Sequence, residues 1–234
     1  MIVFIHGFPL SSRVFEKQKS FPGFAPDLPG FGSATPPSSD MTMDDYARAV
    51  LARMDGEKID RAIFAGLSMG GYICFALARI APERMTGLIL IDTRETPDNA
   101  EGKKGRYETI EKVKEKGVSV VVDSMLPKML TPSAPPKLVA EAREIMMASS
   151  AAGVTAALKA MAERPDSTET LRKIAVPTLI VVGDSDTITP PSDAERMANL
   201  APNATLAVIP GAAHLSNLEQ PEQFNHAVES FLAL

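Results

Sequence analysis

Short apolar runs rich in β-forming residues alternate with helical stretches over much of the chain. These runs occupy residues 2–5, 61–64, 87–92, 177–183 and 205–209. Their length and mostly apolar character are typical of strands that are buried on both faces of a parallel sheet. Stretches with apolar residues three and four positions apart follow several of them, which is the period of a helix with one buried face. The pattern predicts an α/β protein with a mostly parallel sheet and flanking helices.

The alternation of strand and helix stops between residues 93 and 170. A charged stretch at 103–116 predicts a solvated helix. Beyond it, the apolar positions form three helical stripes, at residues 118–130, 138–146 and 154–161. We therefore expect three or four helices, inserted at 94–169 into a core formed by 1–93 and 170–234. The many methionines and alanines of the insertion suggest an adaptable apolar surface, although methionine at any one position more often fills a gap in a core.

Composition and charge narrow the class of protein. With 234 residues, 45% of them hydrophobic and 23% charged, the chain has the size and composition of one globular domain with an insertion. A net charge of −5 supplies no basic surface for nucleic acid and no cationic face for a membrane. The single cysteine, Cys74, excludes an internal disulfide, and no Cys or His cluster has metal-ligand spacing. The first residues lack the features of a signal segment, so we expect a cytoplasmic protein without metal or cofactor.

The stretch around Ser68 carries the strongest chemical signal. Ser68 lies between Gly66 and Gly70, where a predicted strand turns directly into a helix that starts at Met69. Glycine allows the close backbone approach that so sharp a turn requires. This G-x-S-x-G pattern is typical of a nucleophile elbow, which presents a serine Oγ at the carboxyl edge of a sheet. A reactive serine also needs a base, an acid that orients the base, and donors for an oxyanion.

Candidates for the base and the acid follow other predicted strands. His214 comes after the last strand, and Asp184 and Asp186 come after the strand before it. Residues just beyond the carboxyl ends of parallel strands line one crevice, so these side chains can meet at one site. We expect His6, which has no acid nearby, to be structural, and His226 to lie at the surface or at a core edge.

Taken together, the motifs resemble those of α/β hydrolases, in particular small carboxylesterases. The matching segments span nearly the whole chain, at residues 6–9, 27–32, 66–71, 183–186 and 211–214. The resemblance implies Ser68 as nucleophile, Asp186 as acid and His214 as base, in the chain order of that family. It also implies that the backbone N–H groups of Phe8 and Met69 form the oxyanion hole.

The resemblance further implies that the helical insertion is a cap over the site. A serine at the elbow argues against the dehalogenase and epoxide hydrolase branches, whose nucleophile is an aspartate. The β-hairpin with which the family usually opens is absent here. We therefore expect the strand around Phe24 to be an edge of the sheet, where Pro22 and Pro26 remove hydrogen-bond donors.

The choice of Asp186 over its neighbours has a local argument as well. Asp184 comes directly after Gly183 and is expected to accept a hydrogen bond in its own turn. Asp193 follows Ser192, a predicted helix cap, where a carboxylate complements the helix dipole. Asp186 is expected in an exposed loop without such a local role.

The expected function is a serine carboxylesterase that cleaves small, fairly apolar carboxylic esters through an acyl-enzyme intermediate. An enol-lactonase or a C–C bond hydrolase would use the same triad, and a hydrolase-fold ligand receptor with slow turnover is a further alternative. Met125 and Met129 are predicted to line the substrate pocket. The expected partner is a small-molecule ester, with neither nucleic acid nor membrane as partner, and the chain is expected to be a monomer or a homodimer.

Overall fold

The structure, a computed structural model, describes residues 1–37 and 40–233. Within these residues six strands form one sheet in the order β2-β1-β3-β4-β5-β6, and every neighbouring pair is parallel. The strands are β1 (Ile2–Ile5), β2 (Gly23–Phe24), β3 (Ala62–Leu67), β4 (Met85–Ile91), β5 (Thr178–Gly183) and β6 (Ala204–Ile209). The predicted α/β class with a parallel sheet is confirmed.

Helices connect the strands and cover both faces of the sheet. They are α1 (Met43–Gly56), α2 (Met69–Ile80), α3 (Ala100–Lys116), α4 (Ser119–Met129), α5 (Pro136–Met147), α6 (Ala151–Ala162), α7 (Thr168–Lys173), α8 (Pro191–Leu200), α9 (Ser216–Glu219) and α10 (Pro221–Leu232). Two 3₁₀ helices, Ser12–Gln18 and Pro82–Arg84, complete the described elements. β2 lies on one side of β1, and β3 and all later strands lie on the other, so the strand order reverses between β1 and β3. In open parallel sheets such a reversal leaves a crevice for a ligand.

Alternate residues of each strand point to opposite faces, which gives the sheet two apolar cores. Phe64 and Leu88 pack in one core with side chains of α1, α2 and α8. Their neighbours Ala65 and Ile89 pack in the other core with α10 and the 3₁₀ helix at Ser12–Gln18. Burial on both faces explains why these strands read as continuous apolar runs in the sequence.

The edge of the sheet and the helix ends test further predictions. β2 contains Phe24 and pairs only with β1 among the described residues, so its predicted edge position is confirmed, although it is two residues long. A capping box starts α1, because the side chains of Thr42 and Asp45 each accept the backbone N–H of the other. The predicted helix cap at Ser192 is wrong, because α8 begins at Pro191, two residues before the start that such a cap implies, and proline presets the backbone angle of a first helical turn.

The four helical stretches predicted between β4 and β5 are present as α3 to α6. The start of α6 rests on the loop after β2, where Ser150 donates hydrogen bonds from its N–H and its Oγ to the carbonyl of Gly30, at 3.0 and 2.9 Å. At the end of α4, the carbonyl of Met129 accepts the N–H of Leu215 at 3.0 Å. These contacts attach the helices to the sheet's carboxyl edge at two separate places.

In the described residues, no single helix is long and apolar enough to cross a membrane. Only α5 and α6 taken as a pair reach that length and composition, and the two helices meet at an angle of 90°.

Candidate active site

Ser68 occupies the sharp turn between β3 and α2. Its φ angle is 52°, a region that residues other than glycine rarely adopt and that stores strain of roughly 1–3 kcal/mol. A Cβ on Gly66 would lie 2.3 Å from the carbonyl oxygen of Gly70, and one on Gly70 would lie 2.1 Å from that of Ile5. Both positions therefore require glycine, for the steric reason that the sequence suggested.

The structure brings Ser68, His214 and Asp186 into one chain of hydrogen bonds. Ser68 Oγ lies 2.9 Å from Nε2 of His214, and Nδ1 of His214 lies 2.8 Å from Oδ2 of Asp186. A carboxylate can only accept, so Nδ1 carries the proton and Nε2 is left as an acceptor for the serine O–H. This is the tautomer in which the imidazole can take the proton of Ser68.

Asp186 is buried and held by its own turn. Its Oδ1 accepts the N–H groups of Ile188 and Thr189, at 2.8 and 3.1 Å, and its Oδ2 also accepts Thr189 Oγ1 at 2.7 Å. The expectation of an exposed loop without a local role is therefore wrong, because these bonds are what fix the carboxylate toward His214. Asp184 is exposed and, within the described residues, its side chain accepts only the hydroxyl of Ser185, at 2.8 Å.

The pKa values of His214 and Asp186 depend on each other. Burial opposes protonation of His214, but the adjacent Asp186 carboxylate outweighs it and raises the pKa of His214 above its ordinary value, while Arg94 acts in the opposite direction. Burial likewise opposes ionisation of Asp186, and the contact with His214 nevertheless lowers the pKa of Asp186. The pair is thus stabilised as imidazolium and carboxylate, the state that follows proton transfer from serine.

A second buried carboxylate, which the sequence reasoning missed, lies behind the pair. Asp92 follows β4 and accepts Gly183 N–H at 2.9 Å, and it accepts the N–H and Oγ of Ser216 at 3.2 and 2.6 Å. Burial and the negative charge of Asp186 raise the pKa of Asp92 to about 7. Asp92 therefore links the loop that carries Asp186 to the loop that carries His214. In the sequence, the position of Asp92 at the end of a predicted buried strand is the signal that could have identified it.

The two predicted oxyanion donors lie at the same edge of the sheet. Phe8 follows β1 and lines the cavity next to Ser68, and Met69 is the first residue of α2. Within residues 1–37 and 40–233, neither backbone N–H donates to another protein group. The N-terminus of α2 adds the positive end of its dipole at this point.

His6 braces the loop that carries Phe8. Its Nε2 accepts the N–H of Leu28 at 3.0 Å, so its Nδ1 carries the proton and donates to the carbonyl of Gly7 at 2.9 Å. Complete burial lowers the pKa of His6 to about 4, which keeps the ring neutral. These contacts fit the structural role expected for this histidine.

A cavity of about 430 Å³ opens onto Ser68 beneath α3, α4 and α6. Met125 lines it, as do Val121 and Leu158. Met129 does not, and its predicted place in the pocket is wrong: one turn beyond Met125, at the last residue of α4, it is fully buried in the core that includes α5. In the described residues, no group of three or more His, Cys, Asp or Glu side chains is arranged to hold a metal ion.

Charged side chains also line this cavity, which the apolar stripes in the sequence did not indicate. They are Arg94, Asp98, Arg106 and Lys112. Asp98 bonds both Arg106 and the buried Arg164. Burial opposes ionisation of Asp98, but the two guanidinium groups lower its pKa to about 2.

A parallel sheet that holds a serine on a strained turn, with a histidine and an aspartate hydrogen-bonded behind it, defines the class of α/β hydrolases. The chain belongs to this family, because the family model described as alpha/beta hydrolase fold matches residues 1–221.

Proteins similar to this chain include esterases and lactonases. The chain is 30% identical over 209 residues to 3-oxoadipate enol-lactonase 2 of Acinetobacter baylyi, covering 88% of this chain and 76% of that protein. A malate-bound thermophilic esterase from Thermogutta terrifontis has a TM-score of 0.94 at 37% identity, over 99% of this chain and 89% of that one. The enol-lactonase of Burkholderia xenovorans has a TM-score of 0.92 at 26% identity, over 100% and 91%. These similarities support a hydrolase.

Proposed function

We propose that the protein is a serine hydrolase that cleaves small carboxylic esters through an acyl-enzyme intermediate. The observation that carries the proposal is the chain of hydrogen bonds from Ser68 Oγ through His214 to Asp186, at 2.9 and 2.8 Å. The open cavity above Ser68 supports it, because an ester carbonyl placed there would face both the serine and the N–H groups of Phe8 and Met69. The similarity to an esterase at 37% identity supports the ester as substrate.

The geometry supports the following sequence of steps. Ser68 Oγ attacks the ester carbonyl carbon while His214 Nε2 takes the hydroxyl proton, and the N–H groups of Phe8 and Met69 stabilise the oxyanion. The tetrahedral intermediate then expels the alcohol, which receives the proton from His214. Water attacks the acyl-serine by the same route, releases the acid and restores Ser68.

A lactonase is the second candidate, because two of the similar proteins are enol-lactonases. A lactone is an internal ester, so the same steps would open its ring without release of an alcohol. The walls of the cavity, rather than the triad, would decide between open esters and lactones.

An active-site titration tests the proposal. We expect para-nitrophenyl acetate to give a burst of about one nitrophenol per chain followed by sustained turnover, and an organophosphonate to label Ser68 alone. Ser68→Ala should lose at least about 10³-fold in turnover while its melting temperature stays close to wild type. A burst without turnover would indicate a receptor with this fold, and labelling of another serine would refute the assignment of Ser68.

A further inference from the structure

Cations outnumber carboxylates on the wall of the cavity at Ser68. Arg94, Arg106 and Lys112 line it together with one acidic residue, Asp98. The arginines come from different elements, since Arg94 follows β4 and Arg106 lies on α3. An excess of positive charge in a partly enclosed cavity attracts an anion.

The carboxylate of Asp98 does not pair with all the hydrogen-bond donors of the two arginines beside it. It is shared between Arg106 and Arg164, and Arg164 is buried over the ring of Tyr72, 4.2 Å from its centroid. The Nη1 group of Arg106 contacts the sulfur of Met161 at 3.4 Å, and a thioether is a weak acceptor. Arg106, which lines the cavity, therefore keeps donor capacity.

Arg94 is also incompletely paired. It donates from Nη2 to the carbonyl of Ile188, while its buried Nε has no hydrogen-bond partner in the described part of the chain. The nearest carboxylate oxygen, on Asp193, is 3.5 Å away, and Asp193 already binds Arg196 at 2.8 Å. Arg94 lines the same cavity as Ser68, so its guanidinium group lies near the reacting centre.

We propose that the preferred substrates are esters or lactones that carry a carboxylate away from the scissile bond, with Arg94 and Arg106 binding that carboxylate. A guanidinium group matches the planar geometry of a carboxylate and can bind it through two parallel hydrogen bonds. The apolar wall at Val121, Met125 and Leu158 contacts the chain that joins the two ends of the substrate. The inference rests on the proposed function and specifies the substrate class of the same site.

Lys112 gives the inference a matched control. It lines the cavity from the exposed face of α3 and forms no ion pair within residues 1–37 and 40–233. Lys114 lies on the same helix, is also exposed, and pairs with Glu111 away from the cavity. Replacing either lysine by glutamine changes the net charge equally, so the two variants differ in their position relative to the cavity and in the exposed ion pair that Lys114 loses.

The test compares two para-nitrophenyl esters of equal acyl length, the glutarate monoester and the valerate. We expect wild type to favour the glutarate in kcat/KM by about tenfold or more, and Arg94→Gln or Arg106→Gln to reduce this preference by about tenfold or more, as loss of a charged hydrogen bond does. Lys112→Gln should reduce it about two- to fivefold, the size of an exposed ion pair. Lys114→Gln should leave the preference unchanged.

Two outcomes separate this inference from the proposed function. If the valerate is turned over with dependence on Ser68 but wild type does not favour the glutarate, only the carboxylate inference is overturned. If neither ester is turned over and Ser68 is not acylated, the proposed function fails. Should the arginine variants have lowered melting temperatures, the wild-type preference and the two lysine variants still decide the question.

Discussion

The two buried histidines differ in what lies against them. His6 contacts backbone groups at both ring nitrogens, so burial dominates and the pKa falls to about 4. His214 has the Asp186 carboxylate at 2.8 Å, so its pKa rises despite equal burial. The same residue type therefore serves as a neutral brace in one loop and as a proton acceptor in the other, and the partner decides which.

The neighbouring carboxylates give a prediction at the scale of single residues. Asp186→Asn should lower kcat by roughly 10³ to 10⁴, because an asparagine amide favours the wrong tautomer of His214. Asp184→Asn should change kcat little, since Asp184 is exposed and bonds only Ser185. Steady-state kinetics of both variants on one ester decide the question. A near wild-type Asp186→Asn would remove Asp186 from the mechanism.

At this scale the sequence identified residues by their chemistry and their place after strands. It selected Ser68, His214 and Asp186, which the structure joins by hydrogen bonds. It could not identify Arg94 or Arg106, because their exposure to one cavity depends on how α3 packs over the sheet. The sequence pattern around an arginine that follows a strand does not show whether its side chain lines a cavity or lies on the outer surface of the protein.

At the scale of the element, α4 presents two methionines in different surroundings. Met125 lines the cavity, whereas Met129 is fully buried in the core. The apolar stripe in the sequence predicted the helix correctly but could not separate these surroundings, since Met125 and Met129 are four residues apart and lie on the same side of the helix. The wrong placement of Met129 follows from that ambiguity.

This difference predicts opposite effects of the same substitution. Met125→Phe should shift the preferred acyl length toward shorter esters, because it reduces the cavity volume, with little change in stability. Met129→Phe should instead lower the free energy of unfolding by about 1–3 kcal/mol through overpacking. Urea unfolding and a series of esters of increasing acyl length measure both effects. Equal effects of the two variants on acyl preference would contradict the different surroundings assigned to Met125 and Met129.

At the scale of the whole molecule, buried ionisable groups set how stability depends on pH. His6 has its pKa lowered from 6.5 to about 4, so the unfolded chain binds more protons in that window and stability rises with pH. Asp92 has its pKa raised from 3.8 to about 7, so the folded chain binds more protons and stability falls as pH rises. Over pH 4 to 6.5 the two contributions to stability therefore oppose each other.

Single variants should therefore expose slopes of opposite sign. In His6→Gln, where the Asp92 contribution remains, the free energy of unfolding should fall from about pH 4.5 to 6.5. In Asp92→Asn, where the His6 contribution remains, it should rise over the same range. Urea unfolding at both pH values measures the slopes, and wild type should lie between the two variants. Slopes of the same sign would contradict the opposition of these two groups.

The attachment of α6 to Gly30 has a consequence for how a substrate enters. A Cβ on Gly30 would lie 2.3 Å from the Cα of Gly153, so loop and helix touch backbone to backbone and cannot separate without breaking the Ser150 bonds. The end of α4 is held in the same way at Leu215. The first half of α3 is held near the end of α6 by side chains, Lys103 with Glu163 and Arg106 with Met161, rather than by its backbone, and it contains Gly102 and Gly105, each of which weakens a helix by about 1 kcal/mol.

We therefore expect this half of α3 to move when a substrate enters the cavity, while α4 and α6 stay in place. Amide hydrogens at residues 102–106 should exchange with solvent faster than those at 154–160, as measured by hydrogen exchange with mass spectrometry. Gly105→Ala, where an added Cβ meets no atom within 4 Å, should slow that exchange and slow substrate entry together. Equal protection of the amide hydrogens of α3 and α6 would indicate that the substrate enters elsewhere. The firm attachment of α6 and of the end of α4 would then confine substrate entry to the first half of α3.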